Sequence, residues 1–129
     1  MNVLVAVDGS DCSRRALEFA CGFARRFDAA LDVVHFSDAE TEATDAILEW
    51  AREVVDAADV EAKTEVLIED VRIRPAQRAG EAIVELATEE NYDHVVMGHH
   101  GNGMVDELMF GSATRAVLKD ASVGVTVVP

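Results

Sequence analysis

Two short segments of this chain combine residue types that suit anion binding. The first is Asp8-Gly9-Ser10, directly after the apolar run Val3 to Val7. The second reads GHHGNGMVDELMFGS from Gly98 to Ser112, which spaces Gly98, two residues, Gly101, nine residues, Gly111 and then Ser112. Each position has a physical rationale. A glycine at a strand end, such as Gly98, lets a ribose or base approach the backbone. Gly101 can turn its N–H toward a phosphate. Gly111 and Ser112 fall where a helix begins, and its unpaired N–H groups and dipole favour an anion. The Ser112 hydroxyl can donate to a phosphate oxygen, and Ala113 can add a backbone N–H. The chemistry implied is recognition of a phosphorylated ligand.

Other chemistries fit less well. Gly101-Asn102-Gly103 is not a dinucleotide fingerprint: it follows the fourth strand rather than the first, and Asp106 takes the place of the third glycine. The chain has no G-x-x-x-x-G-K-[ST] loop. His99-His100 are adjacent loop residues that point apart, with no cluster to complete a metal site. His35 and His94 fall on strands and read as partly buried, neutral side chains. Ser10, Ser13 and Ser112 lie outside any G-x-S-x-G elbow, and Ser10 and Ser112 are explained as helix caps. Asp38, Glu40 and Glu42 read as a solvated helix entrance. Asp8 is then the one carboxylate at the binding edge, and no catalytic residue is assigned.

The elements that must position these segments alternate regularly. Strands are expected at Val3 to Val7, Leu31 to Phe36, Lys63 to Ile68, Tyr92 to Met97 and Val123 to Val128. The first helix follows Ser10 with Ala16, Leu17, Ala20, Phe23, Ala24 and Phe27 on its apolar face. The second spans Ala39 to Ala58, with Ala43, Ala46, Ile47, Trp50, Ala51, Val54, Val55 and Ala58 as its stripe, so Trp50 reads as core. The third opens near Arg74-Pro75 and carries Ala79, Ala82, Ile83, Leu86 and Ala87. The fourth, capped by Ser112, contains Ala116 and Val117. The alternation predicts one α/β domain over residues 1–129: a doubly wound, open, five-stranded parallel sheet with helices on both faces. In such a sheet ligands bind outside the carboxyl ends of the strands, where the winding reverses. Both candidate segments fall there.

The spacing G-x2-G-x9-G-S resembles that of nucleotide-binding universal stress proteins. The opening VLVAVDGSDCSRRALEFA, the segment HVVMG and the closing GSATRAVLKDASVGVTVV are similar to that family's first strand, turn and helix, fourth strand, and last helix and strand. The resemblance spans nearly the whole chain and implies a Rossmann-like α/β sheet of strand order 3-2-1-4-5. It implies an adenine-nucleotide pocket, for ATP by preference, formed by Val7, Asp8, Gly9, Ser10, Phe36, Met97, Gly98, His100, Gly101, Gly111, Ser112 and Ala113. Asp8 would line the adenosine end, Phe36 would meet adenine through its backbone, and Met97 would belong to the wall. The chain departs from the family pattern at His99-His100 and Asn102-Gly103, so its loop offers no permanent cation before Arg115. Arg115 would reach back or face solvent. The stretch EDVRIRPAQRAGEAI lacks the usual Gly-x-Pro and carries Arg72, Arg74 and Arg78. Bound Mg²⁺ would supply the missing charge. The implied role is a stress-response or signalling module. The alternatives are a slow ATPase completed by a partner and a dimeric interaction protein without nucleotide.

Composition bounds the rest. The net charge is −14, from 25 acidic and 11 basic residues. Nucleic-acid binding is disfavoured because no basic stripe could displace counterions, and so is an anionic membrane. Nine Arg, two Lys and abundant acids suggest a halophile, since an acidic surface self-repels until salt screens it. Cys12 and Cys21 fall about 13 Å apart on one helix, too far for a disulfide. With no signal peptide or apolar span expected, the protein reads as cytoplasmic. The last strand, Val123 to Val128, is apolar and at the sheet edge. Pairing with its copy would cover that edge, so a homodimer is expected.

Overall fold

The computed structural model describes residues 1–37, 39–68, 75–99 and 112–129, with side chains described at all of these except 65–68, 75–79 and 112. Nine elements alternate along them: β1 (Asn2–Ala6), α1 (Asp11–Phe27), β2 (Ala30–Ser37), α2 (Glu42–Ala57), β3 (Ala62–Ile68), α3 (Pro75–Glu89), β4 (His94–Gly98), α4 (Ser112–Asp120) and β5 (Gly124–Val128). The strands form one sheet in the order β3-β2-β1-β4-β5, and every pairing is parallel. This is the expected doubly wound sheet. The winding reverses between β1 and β4, in the register Val3 to His94, Leu4 to Val95 and Val5 to Val96.

The helices begin where side chains can satisfy their first N–H groups. Ser10 caps α1, its hydroxyl accepting from the Ser13 N–H. Thr41 caps α2 in a reciprocal box with Thr44. The buried stripe of α2 departs from the expected one in its first two turns. Thr44, Leu48, Ala51, Val54 and Val55 are buried, whereas Ala43 and Ala46 are exposed and Trp50 is only partly covered. Pro75 takes the first position of α3, where its missing N–H costs nothing. Ser112 is the first residue of α4 rather than its cap. Tyr92 precedes β4 instead of starting it. Its hydroxyl donates to the Asp32 carboxylate across the amino end of the sheet, so the carboxylate is hydrogen-bonded there.

The core lies on both faces of the sheet. On the α1/α2 face Val3, Val5, Val7, Leu31 and Val33 meet Ala16, Leu17, Ala20, Ala24, Ala51 and Val55. On the other, Leu4, Val34, Val95 and Met97 meet Ile83, Ala87 and Val117. Alternate residues of each strand thus serve opposite faces, which is why the strands read as unbroken apolar runs. With few aromatics to fill space, helices must approach closely. A Cβ on Gly80 would stand 2.7 Å from the Ala116 Cβ and 2.8 Å from the Ala113 carbonyl oxygen. The glycine therefore sets how tightly α3 crosses α4. Phe27 is 60% exposed despite its place in the apolar period, because it ends α1 beyond the sheet.

Candidate functional site

The carboxyl ends of β1 and β4 lie side by side at the reversal, and each runs into one of the two candidate segments. After β1, the chain turns through Gly9 at φ 83, a left-handed conformation that an L side chain would strain. The turn is held from within. The Ser10 N–H donates to Asp8 Oδ1 at 2.9 Å, and the Asp8 N–H donates to Ser13 Oγ at 3.3 Å. Ser13 Oγ in turn donates to the Ser10 carbonyl at 3.0 Å. Asp8 is half-buried, with its carboxylate at the rim of the turn.

Val7 is fixed from both sides. Its N–H donates to the Val34 carbonyl at 2.9 Å, and its own carbonyl lies 2.8 Å from His35 Nδ1. A carbonyl only accepts, so Nδ1 carries the proton. His35 is thereby committed to bracing the β1 end. The expected wall residues divide between the two faces of the sheet. Val7 packs with the α1/α2 core, while Met97, Phe36 and Ala113 pack together on the α3/α4 side.

Gly98 closes β4. The absence of its side chain serves α1 as much as any ligand: a Cβ there would stand 2.6 Å from Cys12 Sγ and 3.2 Å from Cys12 C and Cβ. Cys12, which reads in the sequence only as a small residue, organises this corner. Its Sγ donates to the Val128 carbonyl at 3.0 Å, accepts from the His99 N–H at 3.1 Å and lies 3.3 Å from His99 Nδ1. The His99 N–H also reaches the Val128 carbonyl at 2.9 Å. From α4, buried Thr114 donates its hydroxyl to the Gly98 carbonyl at 2.8 Å. Cys12 and Thr114 each sit in a helical first turn facing the sheet. Their distance from the helix starts, with Ser10 before one and Ser112 at the other, was the available signal for both.

The first turn of α4, beginning at Ser112 and Ala113, carries no acidic residue. Its leading N–H groups form a cationic helix end. Arg115 is exposed. His100, Gly101 and Gly111, with Asn102-Gly103, Arg72 and Arg74, lie outside the described residues, and the Arg78 side chain does too. Two clefts lie away from this edge. One, of about 610 Å³, is at the amino ends of β2 and β3 and has Asp28, Asp59 and Lys63 in its lining. The other lies between α1 and α2 beside Trp50 and Cys21. Burial pushes the Cys21 thiol up; nearby Arg25 lowers it and Glu18 raises it. Both cysteines are free. No described helix is long and apolar enough to cross a membrane, and no described cluster of His, Cys, Asp or Glu could hold a metal.

Comparison with known proteins agrees with the fold. The model of the universal stress protein family matches residues 1–129. The chain belongs to that family. A universal stress protein of Staphylococcus aureus (strain USA300) is 30% identical over 138 residues, covering 98% of this chain and 82% of the relative. The universal stress protein from Archaeoglobus fulgidus has a similar structure, with a TM-score of 0.82 and 26% identity over 100% of this chain and 98% of that one. A structure of the Archaeoglobus fulgidus universal stress protein in complex with dAMP is also similar. Its TM-score is 0.79 at 26% identity, over 100% of this chain and 98% of that one.

Proposed function

We propose that this universal stress protein, a single domain over residues 1–129, binds an adenine nucleotide, ATP by preference, at the carboxyl ends of β1 and β4. The observation that carries the reading is positional. The G-x2-G-x9-G-S spacing starts where β4 ends and finishes where α4 begins, beside a rigid β1–α1 turn that presents Asp8. The dAMP complex of a similar family member supports the ligand class. Asp8, Val7, Gly9 and Ser10 would form the adenosine end together with Phe36, Met97 and Gly98. His100, Gly101, Gly111, Ser112 and Ala113 would hold the phosphates. The acid-free first turn of α4 fits a phosphate group. Mg²⁺ would neutralise charge that no loop Lys or Arg covers. Occupancy would act as a signal in a cytoplasmic stress response, with hydrolysis slow or absent. Fast hydrolysis needs a positioned water, a base and charge neutralisation, and among the described residues Asp8 alone is a candidate for any of these roles. The acidic surface suits a salt-rich cytoplasm, and β5 would pair with the β5 of a second copy.

Small molecules released from freshly purified protein in molar KCl, identified by mass spectrometry, test the reading. ATP, ADP or AMP near one per chain is the expected result. If the protein is empty, titration calorimetry with ATP and Mg²⁺ decides, and silence there refutes nucleotide binding. Asp8→Ala and Gly111→Val should each abolish the heat.

A further inference from the structure

The first turns of α1 are bonded to two distant parts of the chain at once. On one side they continue the Asp8–Ser10 turn. Ser13 Oγ accepts from the Asp8 N–H and donates to the Ser10 carbonyl, so that turn and the helix move together. On the side facing the sheet they meet the ends of β4 and β5. Cys12 Sγ accepts from the His99 N–H at 3.1 Å and donates to the Val128 carbonyl at 3.0 Å. The His99 N–H is shared, since it also reaches the Val128 carbonyl at 2.9 Å. One turn further along α1, the Arg15 Nε–H donates to the Pro129 carbonyl at 2.7 Å. Val128 ends β5, and the register sets it beside Gly98, which ends β4.

Packing joins these bonds into one block. Cys12 is 1% exposed, and a Cβ on Gly98 would stand 2.6 Å from its Sγ. No slack is left between α1 and β4, so the sulfur sets the spacing between the Asp8 turn and Gly98. The end of β5 is held less firmly. β5 has five residues, none fully buried, and stands at the sheet edge with β4 as its one described neighbour. Such an edge opens locally at far less cost than the whole fold. When Val128 leaves, the Cys12 thiol loses its acceptor, the His99 N–H loses one of its two acceptors, and Arg15 loses the Pro129 carbonyl. Opening at β5 therefore slackens the same sulfur that spaces the Asp8 turn from Gly98.

We infer that Cys12 couples occupancy of the nucleotide edge to closure of the carboxyl end of β5. The inference rests on the nucleotide reading proposed above and adds regulation to that site. A ligand lying between the Asp8 turn and Gly98 needs the two at their closed spacing. It binds the state in which Val128 and Pro129 are held, and it suppresses the open state by a factor approaching one plus the ratio of free ligand to dissociation constant. The link is local. The amino end of β3 lies at the opposite edge of the sheet and at the opposite end from the nucleotide edge, with β2 and β1 between it and β4. Occupancy therefore reaches the end of β5 and leaves the start of β3 unchanged.

Amide hydrogen exchange of the full chain in high salt tests this, with and without ATP and Mg²⁺ at about 100 times the dissociation constant found by calorimetry. Exchange over residues 125–128 should slow by about tenfold or more, with about 100-fold as the ceiling. Over residues 62–64 it should slow by less than about twofold. This comparison needs no variant. Two variants, each checked for folding by circular dichroism and compared at matched saturation, separate coupling from simple fraying. Cys12→Ala should speed exchange over 125–128 in the free chain and cut the response to ATP to less than about twofold. Arg15→Gln, at an exposed side chain, should speed it in the free chain and keep the response, because the sulfur link remains. ATP binding with no more slowing at 125–128 than at 62–64 overturns the coupling while nucleotide binding stands. No heat and no slowing anywhere overturns the nucleotide reading and the coupling with it. A full response in Cys12→Ala overturns the assignment to Cys12.

Discussion

Gly98→Ala should be more destructive than its size suggests. The glycine has no left-handed φ, so the backbone itself accepts alanine, and replacing a glycine within a strand gains at most about 0.5–1 kcal/mol. Packing opposes this gain. The new methyl would stand 2.6 Å from Cys12 Sγ and 3.2 Å from two further Cys12 atoms, one of them backbone. The sulfur cannot swing aside without leaving the Val128 carbonyl and the His99 N–H. Relief therefore requires the first turn of α1 to back away from β4. Overpacking of that kind costs about 1–3 kcal/mol, so against a gain of about 0.5–1 kcal/mol the net loss should be about 1 kcal/mol and at most about 2.5 kcal/mol. A double-mutant cycle isolates the cause. Cys12→Ala removes the 2.6 Å contact and leaves the 3.2 Å ones, so Gly98→Ala should cost about 1 kcal/mol less in the Cys12→Ala background than alone. Urea unfolding of the four proteins, read by the Trp50 fluorescence and by circular dichroism, gives the values. Additivity of the two substitutions within about 0.3 kcal/mol would refute the steric account of this corner.

Burial holds the His94 imidazole below its ordinary value of 6.5, so the folded state resists its protonation. Its stabilising neutral form is fully present above the unfolded value. Stability should fall as pH drops through about 6.5 and stop falling below the folded pKa. The unfolding free-energy difference between the unaltered chain and His94→Gln should show this slope, and a pH-independent difference would refute it. Thr114→Val keeps its shape but loses the buried hydrogen bond to the Gly98 carbonyl. It should cost about 1–2 kcal/mol in the same unfolding assay, and a neutral effect would mean the contact does not tether α4 to the site.

Much of the fold could be read from the residues because local rules and global packing agree. VLVAV and HVVMG are β-branched runs between turn residues, and a parallel sheet buries such runs on both faces. Strand order followed from alternation with helices and from the family resemblance together. The stripe of α2 was less legible. Ala51, Val54 and Val55 are buried as expected, whereas Thr44 and Leu48 take the places expected of Ala43 and Ala46 in its first two turns. Trp50 keeps its place against the core, partly covered.

Of the candidate site, the sequence by itself determined the turn at Gly9, the cap at Ser10 and the glycine spacing from Gly98 to Ser112. These depend on chain conformation within a few residues, so composition and spacing suffice to specify them. Only the tertiary structure decided that Gly98 is bare because Cys12 of α1 presses on it, and that Val128 and Thr114 meet at the same corner from opposite ends of the last two elements. It also decided that Phe23 stacks on His94, whose ring reaches Thr126. Those pairs are 16 to 116 residues apart or lie on different elements. No local preference links them. They meet only because burying both faces of one sheet brings α1, β4, α4 and β5 into contact.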